Sequence, residues 1–239
     1  MRLYVIRHAD PDYENDTITP DGHLEAQALA ERLASVGLNR IYCSPLGRAL
    51  DTMKYTAGLL KLQPVIEEWT REMWPELKLA ETPWGAIAAW DVPGETWRSG
   101  KTMPSHRTWH SAPILSRSIR KAVESLQKNS DEFLKNLGYE RRGGRYRRLS
   151  PHKEKIALFC HGGFALTWLA HLLEIPVTLM WSGFWLPPTS VTTVLFDERS
   201  QEWAVPRCIG LGDVSHLYEA GLPVKPRGIV ANLSEQFAL

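Results

Sequence analysis

The 239-residue chain is 44% hydrophobic and 23% charged, an ordinary globular mixture that excludes a disordered, collagenous or coiled-coil protein as the main reading. A chain this long buries ~70–75% of its unfolded surface, so it needs no staples to fold. Lys+Arg 28 against Asp+Glu 27 gives a net charge of +1, with no overall pull toward nucleic acid or an anionic membrane. The three cysteines, Cys43, Cys160 and Cys208, form no CxxC, so neither a disulfide framework nor a cysteine-rich zinc site is indicated. A reducing cytoplasm is the expected setting. No apolar stretch approaches the ~18–20 residues of a membrane span, and the run before Arg7 is too short for a signal-peptide core.

The elements follow in order. Arg2–Ile6 is a short apolar run, read as a buried strand that ends in Arg7-His8. Thr19-Pro20 supplies an N-cap and an N1 proline, Leu24, Ala28, Leu29 and Leu33 follow at helical spacing, and Gly37 closes the helix. Asn39–Cys43 is a second strand, and Ser44-Pro45 is expected to start a helix running to about Leu60. Pro64–Ile66 is a further short strand. Strand and helix alternating at this spacing predict a parallel sheet with covering helices.

Residues 74–112 are rich in Trp and Pro and weakly periodic. From Pro113 to Leu137 apolar residues return at helical spacing, with Gly138 beyond the end. Tyr139–Arg148 (YERRGGRYRR) predicts a hairpin turning at Gly143-Gly144. Lys155–Cys160 (KIALFC) is a buried strand and Gly163–Leu173 a helix. Ser190–Phe196 and Trp203–Ile209 read as a closing antiparallel pair. The expected fold is α/β, three layers with a mostly parallel central sheet. A single domain over 1–239 carries a cap inserted at about 74–150.

Three separated pieces carry the chemistry: Arg7-His8, Ser44-Pro45-Leu46-Gly47-Arg48-Ala49, and His161-Gly162-Gly163. Each follows a predicted strand, and ligands of open α/β sheets bind beyond the strands' C-terminal ends. The pieces bring together two imidazoles, two guanidiniums and a helix mouth free of side-chain bulk. That set suits a small dianion, above all a phosphoryl group.

The ordered set YVIRHADPDY, Thr19-Pro20-Asp21-Gly22, SPLGRALDT and CHGG resembles the histidine phosphatase (phosphoglycerate mutase-like) superfamily, over roughly residues 1–72 and 155–197. One departure is Ala9, where that family usually has Gly. The resemblance implies a phosphomonoester hydrolase with His8 as nucleophile, forming a phosphohistidine. It implies that Arg7, Arg48, His161 and Gly162 hold the phosphoryl oxygens, with a protonated His161 adding positive charge. It places an acid after the Ile66 strand, where Glu72 fits the Arg71-Glu72 context and Glu68 and Glu76 are the alternatives. No metal and no cofactor are expected. The expected partners are a small phosphorylated metabolite and inorganic phosphate, with no membrane and no nucleic acid. Two other functions compete: phosphoglycerate mutase-type phosphoryl transfer, and a non-catalytic module that senses a phosphate ligand. The REMWPEL segment and the setting of Arg141-Arg142 disfavour the mutase.

Other features have plain readings. His106 and His110 stand at metal-ligand spacing but lack a third ligand, so surface or lid histidines are expected. Asp10, Asp12, Glu14 and Asp16 more simply shape the loop after His8 than bind calcium. Six of the ten Trp lie between 69 and 109, either because an irregular cap needs large aromatics to bury anything or to wall the leaving group. Arg141, Arg142, Arg145, Arg147 and Arg148 make a charged edge, or attract anions or RNA.

Overall fold

The computed structural model describes residues 1–227. In chain order the elements are β1 (Arg2–Arg7), the small ribbon β2 (Pro11–Asp12) and β3 (Thr17–Ile18), α1 (Pro20–Val36), β4 (Arg40–Cys43), α2 (Gly47–Leu60) and β5 (Val65–Ile66). A second ribbon follows, β6 (Lys78–Leu79) and β7 (Ile87–Ala88), then α3 (Gly94–Arg98) and α4 (Arg117–Asn136). The chain continues through β8 (Tyr139–Arg142), β9 (Arg145–Arg148), β10 (Lys155–Cys160), α5 (Gly162–Leu172), α6 (Val177–Gly183), β11 (Val191–Asp197), β12 (Trp203–Asp213) and α7 (Ser215–Glu219).

The central sheet has eight strands in the order β5-β4-β10-β1-β11-β12-β9-β8. From β5 to β1 neighbours are parallel, and from β1 to β8 they are antiparallel. The expected mostly parallel sheet therefore describes its first half only. The other half exists because the Arg-rich hairpin pairs with β12 through Tyr146↔Ala204 and Arg147↔Trp203. That pairing is long-range and leaves no local trace in sequence. It also removes 139–148 from the predicted insertion, since those residues are sheet.

The two faces of the parallel strands bury different helices, as the period of two requires. Leu3, Val5, Ile156 and Leu158 join a core with Phe133, Phe164 and Trp168 of α4 and α5. Tyr4, Ile6, Ala157 and Phe159 join a second core with Leu29, Leu33 and Met53 of α1 and α2. Burial on both faces explains why these strands read as continuous apolar runs.

Helix α1 begins and ends as expected. Thr19 accepts from Gly22 N–H, Pro20 opens the first turn, and Gly37 takes a left-handed conformation (φ 72°) beyond the end. Two helix starts differ. Helix α2 begins at Gly47, not at Ser44-Pro45, because Ser44 is used elsewhere. Helix α4 begins at Arg117 because Ser116 caps it by accepting from Ile119 N–H, which leaves Pro113 outside.

Four of the five hairpin arginines have partners within the molecule. Arg141 pairs with Glu174, Arg142 with Glu140 and Arg148 with Glu198, while Arg145 stacks on Trp203 at 3.7 Å. No helix among the described residues is long and apolar enough to cross a membrane.

Candidate active site

Strand register sets the site. In the ladders Arg7 lies opposite Cys160, and Phe159 opposite Cys43. The next residue on each strand is therefore His8, His161 or Ser44, side by side at the C-terminal edge. The ring centroids of His8 and His161 are 5.2 Å apart. Both imidazoles are buried.

His8 Nδ1 lies 2.7 Å from the carbonyl of Ala9. A carbonyl can only accept, so Nδ1 carries the proton and the Nε2 lone pair is free. Burial, and then the charges of Arg7 and Arg48, hold the His8 imidazole well below its usual pKa, against the opposing pull of the Ala9 bond. His161 is likewise held well below the usual value, by burial first and then by His8, Arg48 and Arg7. That direction runs against the expected protonated His161, because two guanidiniums already charge a dry site. His161 Nε2 lies 2.7 Å from Ser44 Oγ.

Arg7 anchors its guanidinium through Nη1 to the carbonyls of Leu186 (2.6 Å) and Arg227 (2.9 Å). Arg48, on the first turn of α2, donates to Asp16 Oδ1 at 2.6 Å. Asp16 also accepts from Gly47 N–H at 2.8 Å, tying the ribbon loop to the start of α2. A Cβ on Gly47 would strike the Asp16 carbonyl, so the small residue is required there. Three buried nitrogens of this site, Arg7 Nε, Arg48 Nε and His161 Nδ1, have no partner among the described residues.

Glu72 is one of three candidate acids, and it alone lines the cavity beside Arg7 and Arg48. Glu68 and Glu76 are exposed, and Glu68 pairs with Arg71. The Glu72 carboxylate accepts from Met73 N–H (2.9 Å), Phe164 N–H (2.8 Å) and Gly163 N–H (3.1 Å). It thus sits on the mouth of α5, held there by the first N–H groups of the helix. Gly163 has no room for a side chain, because a Cβ would run into the Trp90 ring.

The cavity measures about 490 Å³. Its lining includes the phosphoryl-binding candidates Arg7, Arg48 and Gly162 and the candidate acid Glu72, together with Gly163, Tyr13, Trp74, Ala88, Trp90, Asp91, Leu166, Trp185 and Leu186. The tryptophans divide between the core and the cavity wall. Trp97 and Trp109 are buried core, whereas Trp74 and Trp90 face the cavity. Asp91, Tyr13 and Trp185 were not foreseen as site residues. Tyr13 stands edge-on to His8 at 6.5 Å and under Arg48 at 5.5 Å. His106 and His110 do not converge: His106 faces Glu174 and His110 faces Arg120.

A family model described as "Histidine phosphatase superfamily (branch 1)" matches residues 3–208. A curated relative, "Putative phosphoserine phosphatase 2" of Hydrogenobacter thermophilus, is 24% identical over 190 residues, which is 76% of this chain and 83% of that protein. Among solved structures, phosphoserine phosphatase of Entamoeba histolytica in complex with 3-phosphoglyceric acid superposes with a TM-score of 0.60 at 21% identity, covering 90% of this chain and 98% of that one. A mycobacterial glucosyl-3-phosphoglycerate phosphatase gives 0.57 at 20% identity, covering 88% and 98%. With the model matching most of its length, the chain belongs to branch 1 of the histidine phosphatase superfamily and is a phosphomonoester hydrolase.

Proposed function

We propose that the protein hydrolyses a small phosphorylated metabolite through a phosphohistidine on His8, without a metal ion. The observation that carries this reading is the trio of buried, unpartnered nitrogens, Arg7 Nε, Arg48 Nε and His161 Nδ1, grouped around a neutral imidazole. Unpaired buried donors are costly, and a phosphoryl dianion offers acceptors for all of them.

In the first step the Nε2 lone pair of His8 attacks phosphorus and the ester P–O bond breaks. The electron pair leaves on the alcohol oxygen, which takes a proton from Glu72. In the second step Glu72 accepts a proton from water, the water oxygen attacks phosphorus, and the P–N bond breaks to regenerate His8 and release inorganic phosphate. Arg7, Arg48, His161 and the Gly162 N–H carry the equatorial oxygens throughout. In this reading Arg7 and Arg48 supply the positive charge that a metal ion would otherwise bring to the phosphoryl group.

The test is trapping. A labelled substrate, quenched without acid, is expected to leave an acid-labile phosphoenzyme, and EDTA is expected not to change turnover. His8→Ala is expected to lose both label and turnover, at least ~10³-fold, the scale for removing a nucleophile. A fully active His8→Ala variant would overturn the mechanism.

A further inference from the structure

The chemistry of the leaving-group half of the cavity selects a substrate class. Besides Arg7 and Arg48, the charged residues lining the cavity are Glu72 and Asp91, both carboxylates. Among the described residues, no lysine and no arginine beyond those two lines the cavity. Lys78 Nζ stands over the Trp74 ring at 5.5 Å on one side, whereas beside Asp91 a carboxylate on that alcohol would meet like charge.

Glu72 is already occupied by three backbone N–H groups. Asp91 is different. It ends the short turn Ala89–Asp91, is half-buried, and has neither hydrogen bond nor ion pair among the described residues. Burial outweighs the attraction of Arg7 and, with the nearby charge of Glu72, pushes its pKa up to about 6. A carboxylate in that state is missing a cation. Trp90 and Trp185 line the same cavity, whereas the Trp74 ring already carries Lys78 Nζ at 5.5 Å. Indole faces attract cations and tolerate their methyl groups.

Space continues past Asp91. An adjoining cleft of about 340 Å³ shares Trp90, Asp91, Leu166 and Trp185 with the main cavity and adds Trp181 and Phe184. Asp91 therefore stands where a ligand, anchored by its phosphoryl group, passes from one space to the other. Gly163 contributes by letting Trp90 lie against the mouth of α5.

From this geometry we infer that the substrate is a phosphate monoester of an alcohol bearing a cationic nitrogen, an amino or trimethylammonio alcohol. Asp91 is its counter-ion, and Trp90 and Trp185 are its walls. The inference rests on the phosphomonoesterase reading above and adds the substrate class to it.

The experiment compares phosphocholine with 3,3-dimethylbutyl phosphate, which has the same shape and no positive charge, with nitrophenyl phosphate as a general ester. In the wild type, kcat/KM is expected to favour phosphocholine by ~10- to 30-fold, the scale of a partly desolvated cation on aromatic faces. In Asp91→Asn that ratio is expected to fall toward one, and Asp91→Glu is expected to keep most of it. The ratio is insensitive to partial misfolding, since both esters use the same phosphoryl site. A wild-type ratio near one, or a preference for the neutral or an aromatic ester, overturns the inference while nitrophenyl phosphate turnover leaves the hydrolase reading standing. An Asp91→Asn variant that slows both esters equally overturns it too, because Asp91 would then serve the chemistry. No turnover of any ester, nitrophenyl phosphate included, would instead sink the hydrolase reading itself.

Discussion

Ser44 Oγ and His161 Nε2 are 2.7 Å apart at the ends of two neighbouring parallel strands. Ser44 Oγ also accepts the N–H of Leu46 at 3.3 Å. For His161 Nδ1 to donate to a phosphoryl oxygen it must carry the ring proton, so Nε2 must accept, and the serine hydroxyl is placed to give it one. Ser44 thus acts as a positioning residue for the tautomer of His161. Ser44→Ala is expected to raise KM and the inhibition constant of inorganic phosphate about 10-fold, the worth of one buried hydrogen bond. The effect on kcat should be smaller, and Ser44→Thr should restore binding. Unchanged phosphate inhibition in Ser44→Ala would remove this role.

Gly163 is where a helix, a carboxylate and an indole meet. Its N–H donates to Glu72, and the position of its absent Cβ is taken by the Trp90 ring. Gly163→Ala is expected to displace Trp90, at an overpacking cost of about 1–3 kcal/mol. For a chain of this size that is a fall in Tm of ~2–12 °C. Tryptophan fluorescence should shift with it, and kcat/KM should drop because the cavity wall has moved. A variant with wild-type Tm and spectrum would show that the helix mouth yields freely.

Glu72 should matter in proportion to how poor the leaving group is. An alkoxide leaves only when protonated, whereas nitrophenolate leaves unaided. Glu72→Gln is expected to slow alkyl phosphates by about 10²–10⁴-fold, the range of general acid–base catalysis. Transfer from nitrophenyl phosphate to His8 should suffer much less, and the phosphoenzyme should then accumulate after a burst of nitrophenolate. Equal and small effects on both substrates would move the acid elsewhere; Asp91 is the other carboxyl group of the cavity.

The catalytic half of the sheet is legible because its signals are local. Each of Arg7-His8, Ser44–Arg48 and His161-Gly162-Gly163 abuts an apolar strand, so its place at the sheet edge follows from the chain next to it. Ser44 shows the limit of that logic: a Ser-Pro pair suits a helix start, and only the neighbouring strand reveals that its hydroxyl serves His161. Leu186 and Arg227 come to Arg7 from 179 and 220 residues away, with no pattern that announces it. Asp91 and Trp90 lie in a stretch without periodicity, where burial depends on distant partners. The pairing of the arginine hairpin with β12 is equally non-local, which is why it read as part of the cap.

The last prediction concerns acid. His216, on α7, is buried against Arg32, whose Nη1 lies 3.2 Å from its Nδ1. Burial first, and then the Arg32 charge, lower its pKa to about 4. Between that value and the ~6.5 of an unfolded histidine, the unfolded chain takes up a proton that the folded chain refuses. Stability therefore rises with pH through this window and is lost as pH falls. His8, His161 and His171 are all shifted the same way. Glu25, raised to about 7, and Asp91, raised to about 6, act oppositely, since the folded chain holds their protons more tightly. To isolate His216, His216→Asn should be compared with the wild type by denaturant unfolding at pH 7 and pH 5. At pH 7 the variant should be less stable, through lost packing. At pH 5 the wild type alone still bears the cost of refusing a proton, about 2 kcal/mol for 1.5 units below the unfolded pKa. The gap between the two proteins should close or reverse by that amount. A gap that is equal at both pH values would mean that His216 takes up its proton while folded.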